Sequence, residues 1–153
     1  MYKTTTDSAF GAMKFDYGWC KEEDISFFGK TITVEVLAEA EVGQPISDIQ
    51  RNLYTRFCNE IKTLSATALE ALRAYYSENH PFIIMQMDFP GKLPEPDRIT
   101  DIDLINMVIP KTVFFPQDNL YAILCDSPWE PQEGLAIIIC DDAVSIGIQS
   151  EVL

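Results

Sequence analysis

Residues 47–64 read SDIQRNLYTRFCNEIKTL and carry the clearest helical pattern in this chain of 153 residues. Ser47 and Gln50 have the S-x-x-Q spacing of a capping box, in which each side chain satisfies a backbone N–H at the start of a helix. Apolar side chains then recur at steps of three and four residues, the period of one helix face. They are Ile49, Leu53, Phe57, Cys58, Ile61 and Leu64. The pattern predicts a helix over residues 47–62.

A second helix is predicted directly after the first. Thr67 and Glu70 repeat the capping-box spacing. Helical spacing continues through Leu69, Leu72, Tyr75 and Tyr76. The cluster Asn79-His80-Pro81 predicts the end of this helix, because a proline disfavours helical backbone in the residue before it. We therefore expect two helices, over residues 47–62 and 66–78, whose short connection favours side-by-side packing.

Alternation of apolar and polar residues predicts strands on both sides of the helices. Every second residue of Thr31–Val36 is apolar, and Ile25–Phe28 precedes it across a turn at Gly29-Lys30. Together with Phe10–Tyr17, these segments indicate an opening meander of about three strands. Further strands are expected at Thr112–Phe115, Leu120–Asp126, Leu135–Cys140 and Ala143–Gln149, the last two joined by Asp141-Asp142.

The stretch between the second helix and the last strands contains weaker signals. Phe82–Phe89 is an apolar run that fits either a strand or a short helix. Pro90–Pro96 contains several of the prolines and predicts an irregular loop. Thr100–Val108 predicts a short helix capped by its first residue, with Asp101 and Asp103 in its positive first turn.

The order of strands, helices and strands predicts the fold class. It is typical of an α+β domain, with a mainly antiparallel sheet and two packed helices on one face. We expect about six or seven strands in that sheet. The length fits a single domain over residues 1–153, with a core over about 10–150.

The composition is strongly acidic. Eleven Lys and Arg residues against 24 Asp and Glu residues give a formal charge of −13 at pH 7. We expect no nucleic-acid partner, because the phosphate backbone is bound through clustered Lys and Arg. Residues 1–8 are polar, and no apolar run approaches the ~18–20 residues that cross a bilayer. These observations predict a cytoplasmic protein without membrane association, and they leave the oligomeric state open.

The cysteine pattern gives no sign of a metal site. Cys20, Cys58, Cys125 and Cys140 form no C-x-x-C pair, and His80 is the only histidine, so a Cys/His zinc site is not predicted. Cys58 lies on the apolar stripe of the first helix and is expected to be buried and reduced. Cys125 and Cys140 fall in strands that could be neighbours, so a pair between them is left open.

The most unusual local sequence is DSPWEPQEGL, residues 126–135, which links two predicted strands. One interpretation is a binding loop, because loops on a rigid sheet often carry function, with Trp129 as a large anchor and the acids as charged contacts. In the other interpretation Trp129 covers the end of the core and the acids stay solvated. The two interpretations differ in the exposure of Trp129.

An enzyme is the alternative class. A small hydrolase or metal-dependent enzyme would need Asp126, Glu130 and Glu133 to converge with His80, the sole candidate for a general base at neutral pH. As a residue at a helix end, His80 is explained more simply by its favourable interaction with the helix dipole. The chain has no nucleophile elbow, phosphate loop or calcium-loop spacing. No catalytic residue, cofactor or metal is therefore predicted.

Five short motifs carry a family resemblance: Gly18-Trp19, Phe28-Gly29-Lys30, Gln50-x-x-x-Tyr54-x-x-Phe57, Tyr75-Tyr76 and Asp126-x-x-Trp129-Glu130-x-x-Glu133-Gly134-Leu135. The chain resembles uncharacterised bacterial domains of the "domain of unknown function" class over about residues 10–150. Several of those domains occur near polymorphic-toxin genes and are suspected immunity proteins. In such relatives the late motif more often reads W-D-x-E-x-G-L, so this chain shifts the acid and inserts a residue. The resemblance implies no catalytic residues.

The function predicted from these observations is non-enzymatic protein binding. The resemblance implies an immunity-like inhibitor of a basic toxin, and the charge of −13 fits a basic partner. Such a protein should gather its acids around an exposed tryptophan. The candidate partner-binding residues are Trp129, Glu130, Glu133, Asp126, Asp141 and Asp142.

Overall fold

The computed structural model of the chain describes residues 3–86 and 93–153. Within these ranges the strands are β1 (Thr4–Asp7), β2 (Gly11–Phe15), β3 (Trp19–Phe27), β4 (Lys30–Ala38), β5 (Ile109–Phe115), β6 (Leu120–Asp126), β7 (Leu135–Cys140) and β8 (Ala143–Ile148). The α-helices, α1 (Asp48–Gln86) and α2 (Asp101–Met107), lie between β4 and β5 in the chain. A short 3-10 helix, Gln149–Glu151, follows β8.

The strands lie in the sheet in chain order, from β1 at one edge to β8 at the other. Neighbouring strands are antiparallel except β4 and β5, which are parallel. That pair is parallel because the helices carry the chain back to the other end of the sheet before β5 begins. This arrangement confirms the predicted α+β fold with a mainly antiparallel sheet. The described sheet has eight strands, more than expected, because the opening meander contains β1 as well.

The two helices predicted over residues 47–62 and 66–78 are one continuous helix, so that prediction was wrong. α1 passes through Thr67, whose hydroxyl donates back to the carbonyl of Thr63 (3.1 Å) instead of capping a new helix. The buried stripe continues through this point at every fourth residue: Leu64, Ala68, Leu72, Tyr76 and His80. Burial of that stripe favours one long helix over the local stop signal, since tertiary packing supplies most helical stability.

Pro81 also lies inside α1, although it was expected to end a helix. A proline inside a helix costs ~3 kcal/mol, because it removes a hydrogen bond and clashes with the preceding turn. Tyr76 and Ile83, on either side of Pro81, are buried in the core, and their packing offsets this cost. No helix in the described ranges is long and apolar enough to cross a membrane.

The structure decides part of the question whether Phe82–Phe89 is a strand or a short helix. Residues 82–86 of the run Phe82–Phe89 are helical, whereas residues 87–92, with the start of the predicted loop Pro90–Pro96, lie outside the described residues. The short helix predicted at Thr100–Val108 is confirmed as α2. Its Thr100 hydroxyl accepts from the N–H of Asp103 (3.1 Å), whose carboxylate accepts from the N–H of Thr100 (3.0 Å).

The capping box predicted at the start of α1 is also confirmed. The N–H of Gln50 donates to the Ser47 hydroxyl (3.2 Å), and the side-chain Oε1 of Gln50 accepts from the N–H of Ser47 (3.0 Å). Gln50 is fully buried, and its Nε2 donates to the carbonyls of Glu39 and Phe115, both at 2.8 Å. One amide therefore connects α1 to the ends of the parallel strands β4 and β5.

The core lies between α1 and one face of the sheet, and a second apolar cluster lies on the opposite face. Phe115 is fully buried in the main core, while its neighbour Phe114 packs in the second cluster. The remaining buried members of that cluster are Leu37, Ala122, Leu124 and Ala136. Successive strand residues point to opposite faces. The adjacent aromatic pair is therefore accommodated without leaving a ring at the surface.

The cysteines are placed differently from what was expected. Cys58 is exposed, so the prediction that it is buried was wrong; it lies at the margin of the helix stripe rather than at its centre. Cys125 and Cys140 do lie in neighbouring strands, but the antiparallel register pairs Cys125 with Leu135 and Cys140 with Leu120. The two thiols therefore occupy opposite ends of the β6–β7 pair and cannot form a disulfide there.

Asp7 is a buried carboxylate that joins the β1–β2 hairpin to α1. Its Oδ2 accepts from the N–H groups of Ala9 (3.0 Å) and Phe10 (3.1 Å), and its Oδ1 accepts from Nε of Arg51 (2.6 Å). Burial by itself would raise the pKa of Asp7. The hydrogen bonds and the Arg51 guanidinium outweigh burial and hold that pKa below its ordinary value.

We expect Asp7→Asn to lower the free energy of unfolding at pH 7 by about 1–2 kcal/mol, because a charge-assisted hydrogen bond is lost. Since the folded-state pKa is lowered, the ionised carboxylate stabilises the fold fully above the unfolded pKa of about 3.9. That contribution disappears as the pH falls through the lower, folded-state pKa. The difference between wild type and variant should therefore shrink below about pH 4 in urea unfolding.

Asp48→Asn is the matched control for this prediction. Asp48 also binds Arg51 (2.8 Å), but its side chain is 92% exposed, so its removal should change stability little. Equal losses in the two variants, or a difference from wild type that stays constant down to acid pH, would contradict the role given to Asp7.

Candidate functional site

The loop between β6 and β7 forms one wall of a cavity of about 420 Å³. The end of α2 and the side chain of Gln149 contribute the other walls. Asp126, Glu130 and Glu133 all line the cavity, and none of its described lining residues is Lys, Arg or His. The structure therefore brings together three of the acids that the sequence singled out, in a concave and otherwise uncharged setting.

Trp129 is fully buried behind this cavity. Its indole stacks on the ring of Tyr75 (centroids 6.1 Å apart, planes at 19°) and packs against Tyr76 at 5.2 Å. Its Nε1 points to the sulfur of Met107 at 3.4 Å. The prediction of an exposed Trp129 that anchors a partner was wrong, because the loop folds back and inserts the ring between α1 and α2. The other interpretation, in which Trp129 covers the end of the core, is correct.

Backbone hydrogen bonds hold the loop in this shape. The N–H of Glu130 donates to the carbonyl of Ser127 (3.2 Å), and the N–H of Gly134 donates to the carbonyl of Glu130 (2.9 Å). Gly134 has a positive φ of 73°, and a Cβ there would lie 2.5 Å from side-chain atoms of Gln149. The cavity wall is therefore a defined turn in which the positive φ favours glycine, and a Cβ would displace the Gln149 side chain.

Glu130 is fixed by a contact from α1. Its Oε1 accepts from the hydroxyl of Tyr75 at 2.8 Å, and the Glu130 side chain is half-buried. Burial, followed by the hydrogen bond to Glu130, raises the pKa of Tyr75 well above its ordinary value. Tyr75 therefore stays protonated and donates at any physiological pH. Asp126 and Glu133, which also line the cavity, are exposed.

Asp141 and Asp142 lie away from this cavity. They form the turn between β7 and β8, at the opposite end of β7 from the loop. Six residues of strand at about 3.3 Å each separate the two ends by about 20 Å. The prediction that these two residues join the loop acids around Trp129 was therefore wrong. The tight hairpin predicted at Asp141-Asp142 is confirmed, with Asp141 at a positive φ of 55°.

A second, smaller cavity of about 320 Å³ lies beside the Asp141-Asp142 turn. It already contains a basic side chain, because Arg56 forms ion pairs with Asp142 and with Glu60 (3.2 Å). Asp142 and Glu60 thus have a cationic partner within the chain. Only the first cavity presents carboxylates without a cation among its described lining residues.

His80 lies in the interior of α1 rather than at a helix end, so its predicted interaction with a helix terminus was wrong. Its ring packs against Tyr76 with centroids 5.2 Å apart, and its Nε2 is buried with no hydrogen-bond partner among the described residues. His80 is not among the residues that line the acidic cavity. Within residues 3–86 and 93–153, no group of His, Cys, Asp and Glu side chains is arranged to hold a metal ion.

Two residues of the cavity were missed by sequence reasoning. Tyr75 was assigned only to helix packing, and Gln149 was treated as the end of a strand. Gln149 begins the 3-10 helix, and its Nε2 donates to the carbonyl of Cys125 at 3.1 Å, which places it across from the loop. No local sequence pattern predicts the contact of Tyr75 with Glu130 or that of Gln149 with Cys125, because each joins residues that are distant in the chain.

The fold and this cavity define the chain as a small α+β domain with an acid-lined cavity at one end of its sheet. The chain belongs to the family described as "Domain of unknown function (DUF6985)", which it matches over residues 9–153. This match confirms the resemblance to domains of unknown function, while the immunity role stays a prediction. No curated protein and no solved structure matches the chain.

Proposed function

We propose that this chain is a non-enzymatic protein-binding module whose cavity receives a basic side chain of a partner protein. One observation carries the proposal: Asp126, Glu130 and Glu133 line a cavity whose described lining residues include no cation. A Lys or Arg side chain of a partner would supply the missing positive charge. Arg fits this setting best, because its planar guanidinium donates to several carboxylate oxygens at once.

The arrangement of the acids supports specific binding in addition to solubility. Glu130 is held in position by Tyr75, so part of the entropy cost of ordering it is already met in the free protein. The buried ring of Trp129 supports the loop from behind. The net charge of −13 would speed encounter with a basic partner, and this attraction weakens with salt. An immunity-like inhibitor of a basic toxin is the form of this function that the sequence resemblance favours.

The alternative of a small hydrolase or metal-dependent enzyme is not favoured by a specific observation. Its only candidate for a general base at neutral pH, His80, does not line the cavity with the carboxylates. The acids at the two ends of β7 are separated by the length of the strand. We therefore propose protein binding alone.

The test removes the three cavity charges and keeps the rest of the surface. In the triple variant Asp126→Asn, Glu130→Gln, Glu133→Gln the formal charge rises by three, from −13 to −10. The matched control, Asp118→Asn, Asp141→Asn, Asp142→Asn, makes the same charge change at the opposite end of β7. Both variants and the wild type are used as bait in lysate of the native host at low salt, and captured proteins are identified by mass spectrometry.

We expect a basic protein to be captured by the wild type and the control but lost with the cavity variant. Its affinity for the wild type should fall as salt rises, since charged contacts are screened. If the partner is encoded beside this chain and is toxic, co-expression of the wild type should rescue growth and the cavity variant should not. Equal capture by both variants would attribute binding to overall charge and refute a role for the cavity.

A further inference from the structure

One edge of β3 carries backbone hydrogen-bonding groups that β4 does not use. The turn Phe28-Gly29 joins β3 to β4, and its positive φ angles of 54° and 75° are those of a two-residue type I′ turn. In such a hairpin the two flanking residues, here Phe27 and Lys30, form a pair that exchanges both backbone hydrogen bonds. Along the rest of an antiparallel ladder, hydrogen-bonded pairs and non-hydrogen-bonded pairs then alternate. The odd-numbered residues of β3 therefore bond to β4. The even-numbered residues 22, 24 and 26 direct their N–H and C=O groups to the other side.

β2 does not cover this other side. The β2–β3 pairing consists of Lys14 with Cys20 and Phe15 with Trp19, and it stops there. No other strand among the described residues lies beside β3 on that side. The backbone groups of Glu22, Asp24 and Ser26 are therefore left without a ladder, and all three residues are exposed.

The β1–β2 hairpin diverges from β3 because its tip is bound to α1. Asp7 accepts from Arg51, and the ring of Phe10 stacks on that of Tyr54 with centroids 4.3 Å apart. Lys21 of β3 connects the hairpin tip to α1, because its Nζ donates to the carbonyl of Phe10 (2.5 Å) and to the hydroxyl of Tyr54 (2.9 Å). These contacts hold the hairpin over the helix, so the fork between β2 and β3 is built into the fold.

A notch of about 740 Å³ lies in this fork. We call it the β2–β3 notch; its lining residues come from Thr4–Thr6, Ala12–Lys14, Cys20–Glu22 and Glu35. Lys14 of β2 lines the notch, while the charged side chains on the outer face of the open stretch of β3 are acidic. Glu22 and Asp24 are exposed on the outer face of β3, and Glu35 follows on β4. Lys21 faces the opposite side and is bound by Glu23 at 2.9 Å.

We propose that the β2–β3 notch binds an extended, basic segment of a partner protein, which adds to the sheet as a strand beside β3. The N–H and C=O groups of an extended partner segment can bond to the outward N–H and C=O groups of β3, because both sets recur at every second residue. Lys or Arg at alternate positions of the added strand would lie next to Glu22 and Asp24, because cross-strand neighbours share a face. A second copy of this chain is disfavoured as the occupant, since the same acids would oppose each other.

This site is separate from the acidic cavity and does not depend on it. The cavity at the β6–β7 loop would bind a basic side chain of a partner, whereas the notch would bind the extended backbone of a partner segment beside β3. Strand addition is a recurrent way in which an exposed sheet edge binds peptides. Acidic residues along an open edge also serve to prevent self-association, and the experiments below separate that role from binding.

The first measurement is amide hydrogen exchange in the free protein, followed by NMR. Within β3, the amides of Glu22, Asp24 and Ser26 should exchange at least about tenfold faster than those of Lys21, Glu23 and Ile25, after correction for intrinsic rates. Uniform protection along the strand would show that the edge is not open and would overturn the proposal.

The second measurement is a titration at low salt with the synthetic peptide Ac-TKVKVKT-NH2. Its matched control has the same sequence and charge but carries N-methyl groups on the alternate residues that would face β3. We expect the unmodified peptide to protect the amides of Glu22, Asp24 and Ser26 and to bind at least about tenfold more tightly than the control. Equal binding of the two peptides, no binding, or shifts confined to the β6–β7 loop would each refute strand addition.

Variants of the protein provide an independent check. Asp24→Pro removes an outward N–H without breaking the β3–β4 ladder and should abolish peptide binding, while Asp24→Asn should retain most of it. If the proline variant does not fold, the N-methylated peptide still decides the question. The cavity variant Asp126→Asn, Glu130→Gln, Glu133→Gln should bind the peptide like the wild type. Loss of binding in that variant would reassign the peptide to the cavity and overturn the notch proposal.

Discussion

Trp129→Ala is expected to lower the free energy of unfolding by about 4 kcal/mol, within the range for truncation of a buried aromatic residue. The ring is fully buried and contacts Tyr75 and Tyr76 of α1 as well as Met107 of α2. Its removal leaves a cavity where the β6–β7 loop inserts this ring into the core. The loop should lose its order together with the stability.

Urea unfolding of the two proteins measures this effect. Phe82→Ala is the matched control, because Phe82 is an aromatic residue of α1 whose side chain is 62% exposed. We expect the control to change stability by less than about 0.5 kcal/mol. Trp129→Phe should retain part of the stacking and fall between the two. A loss below about 1 kcal/mol in Trp129→Ala would contradict the burial of the ring.

Gln50→Leu is expected to cost about 2–3 kcal/mol, although leucine is a good helix former of similar size. The amide of Gln50 is buried and donates to the carbonyls of Glu39 and Phe115. Its Oε1 also satisfies the N–H of Ser47 at the start of α1. Leucine replaces none of these hydrogen bonds, so backbone groups of three segments, among them the carbonyl of the buried Phe115, each lose a partner.

Gln117→Leu is the matched control for Gln50→Leu. The Nε2 of Gln117 donates to the same carbonyl of Glu39, also at 2.8 Å, but Gln117 is exposed. Water can replace that bond, so the loss in the control should stay below about 0.5 kcal/mol. Similar losses in the two variants would show that burial of the Gln50 amide does not decide the effect.

The strands were predictable from the sequence because their signal is local. Alternation in Thr31–Val36 reports directly which side chains face the core, and Val34 and Val36 are indeed buried. The strands from Leu120 to Ile148 were found within a residue or two for the same reason. β1 was missed, since Thr4–Asp7 is short, polar and buried only at Asp7.

Helix boundaries were less predictable because local stop signals compete with distant packing. Thr67 and Pro81 each favour an end to the helix when only the neighbouring residues are considered. In the folded chain, burial of one face from Leu53 to Ile83 spans both positions. The free energy of that burial comes from contacts between α1 and the sheet. A short stretch of sequence does not show these contacts, because they join residues that are distant in the chain.

For the candidate site, the sequence identified the loop but not its geometry. Asp126, Glu130 and Glu133 share a cavity because the β6–β7 loop folds on itself. Asp141 and Asp142 are excluded from it because they follow β7 at its far end. The pairing of Glu130 with Tyr75 joins residues that are 55 positions apart.

The amino-acid sequence by itself determined the fold class, most of the strands, the capping box at Ser47 and the helix cap at Thr100, because periodicity and capping act within a few residues. It also determined the acidity of the surface. Only the tertiary structure decided that α1 continues through Pro81, that Trp129 lies inside the core, and that β2 leaves β3 at Cys20. Each of these depends on burial against residues far away in the chain, and such burial outweighs local preferences of about 1–3 kcal/mol.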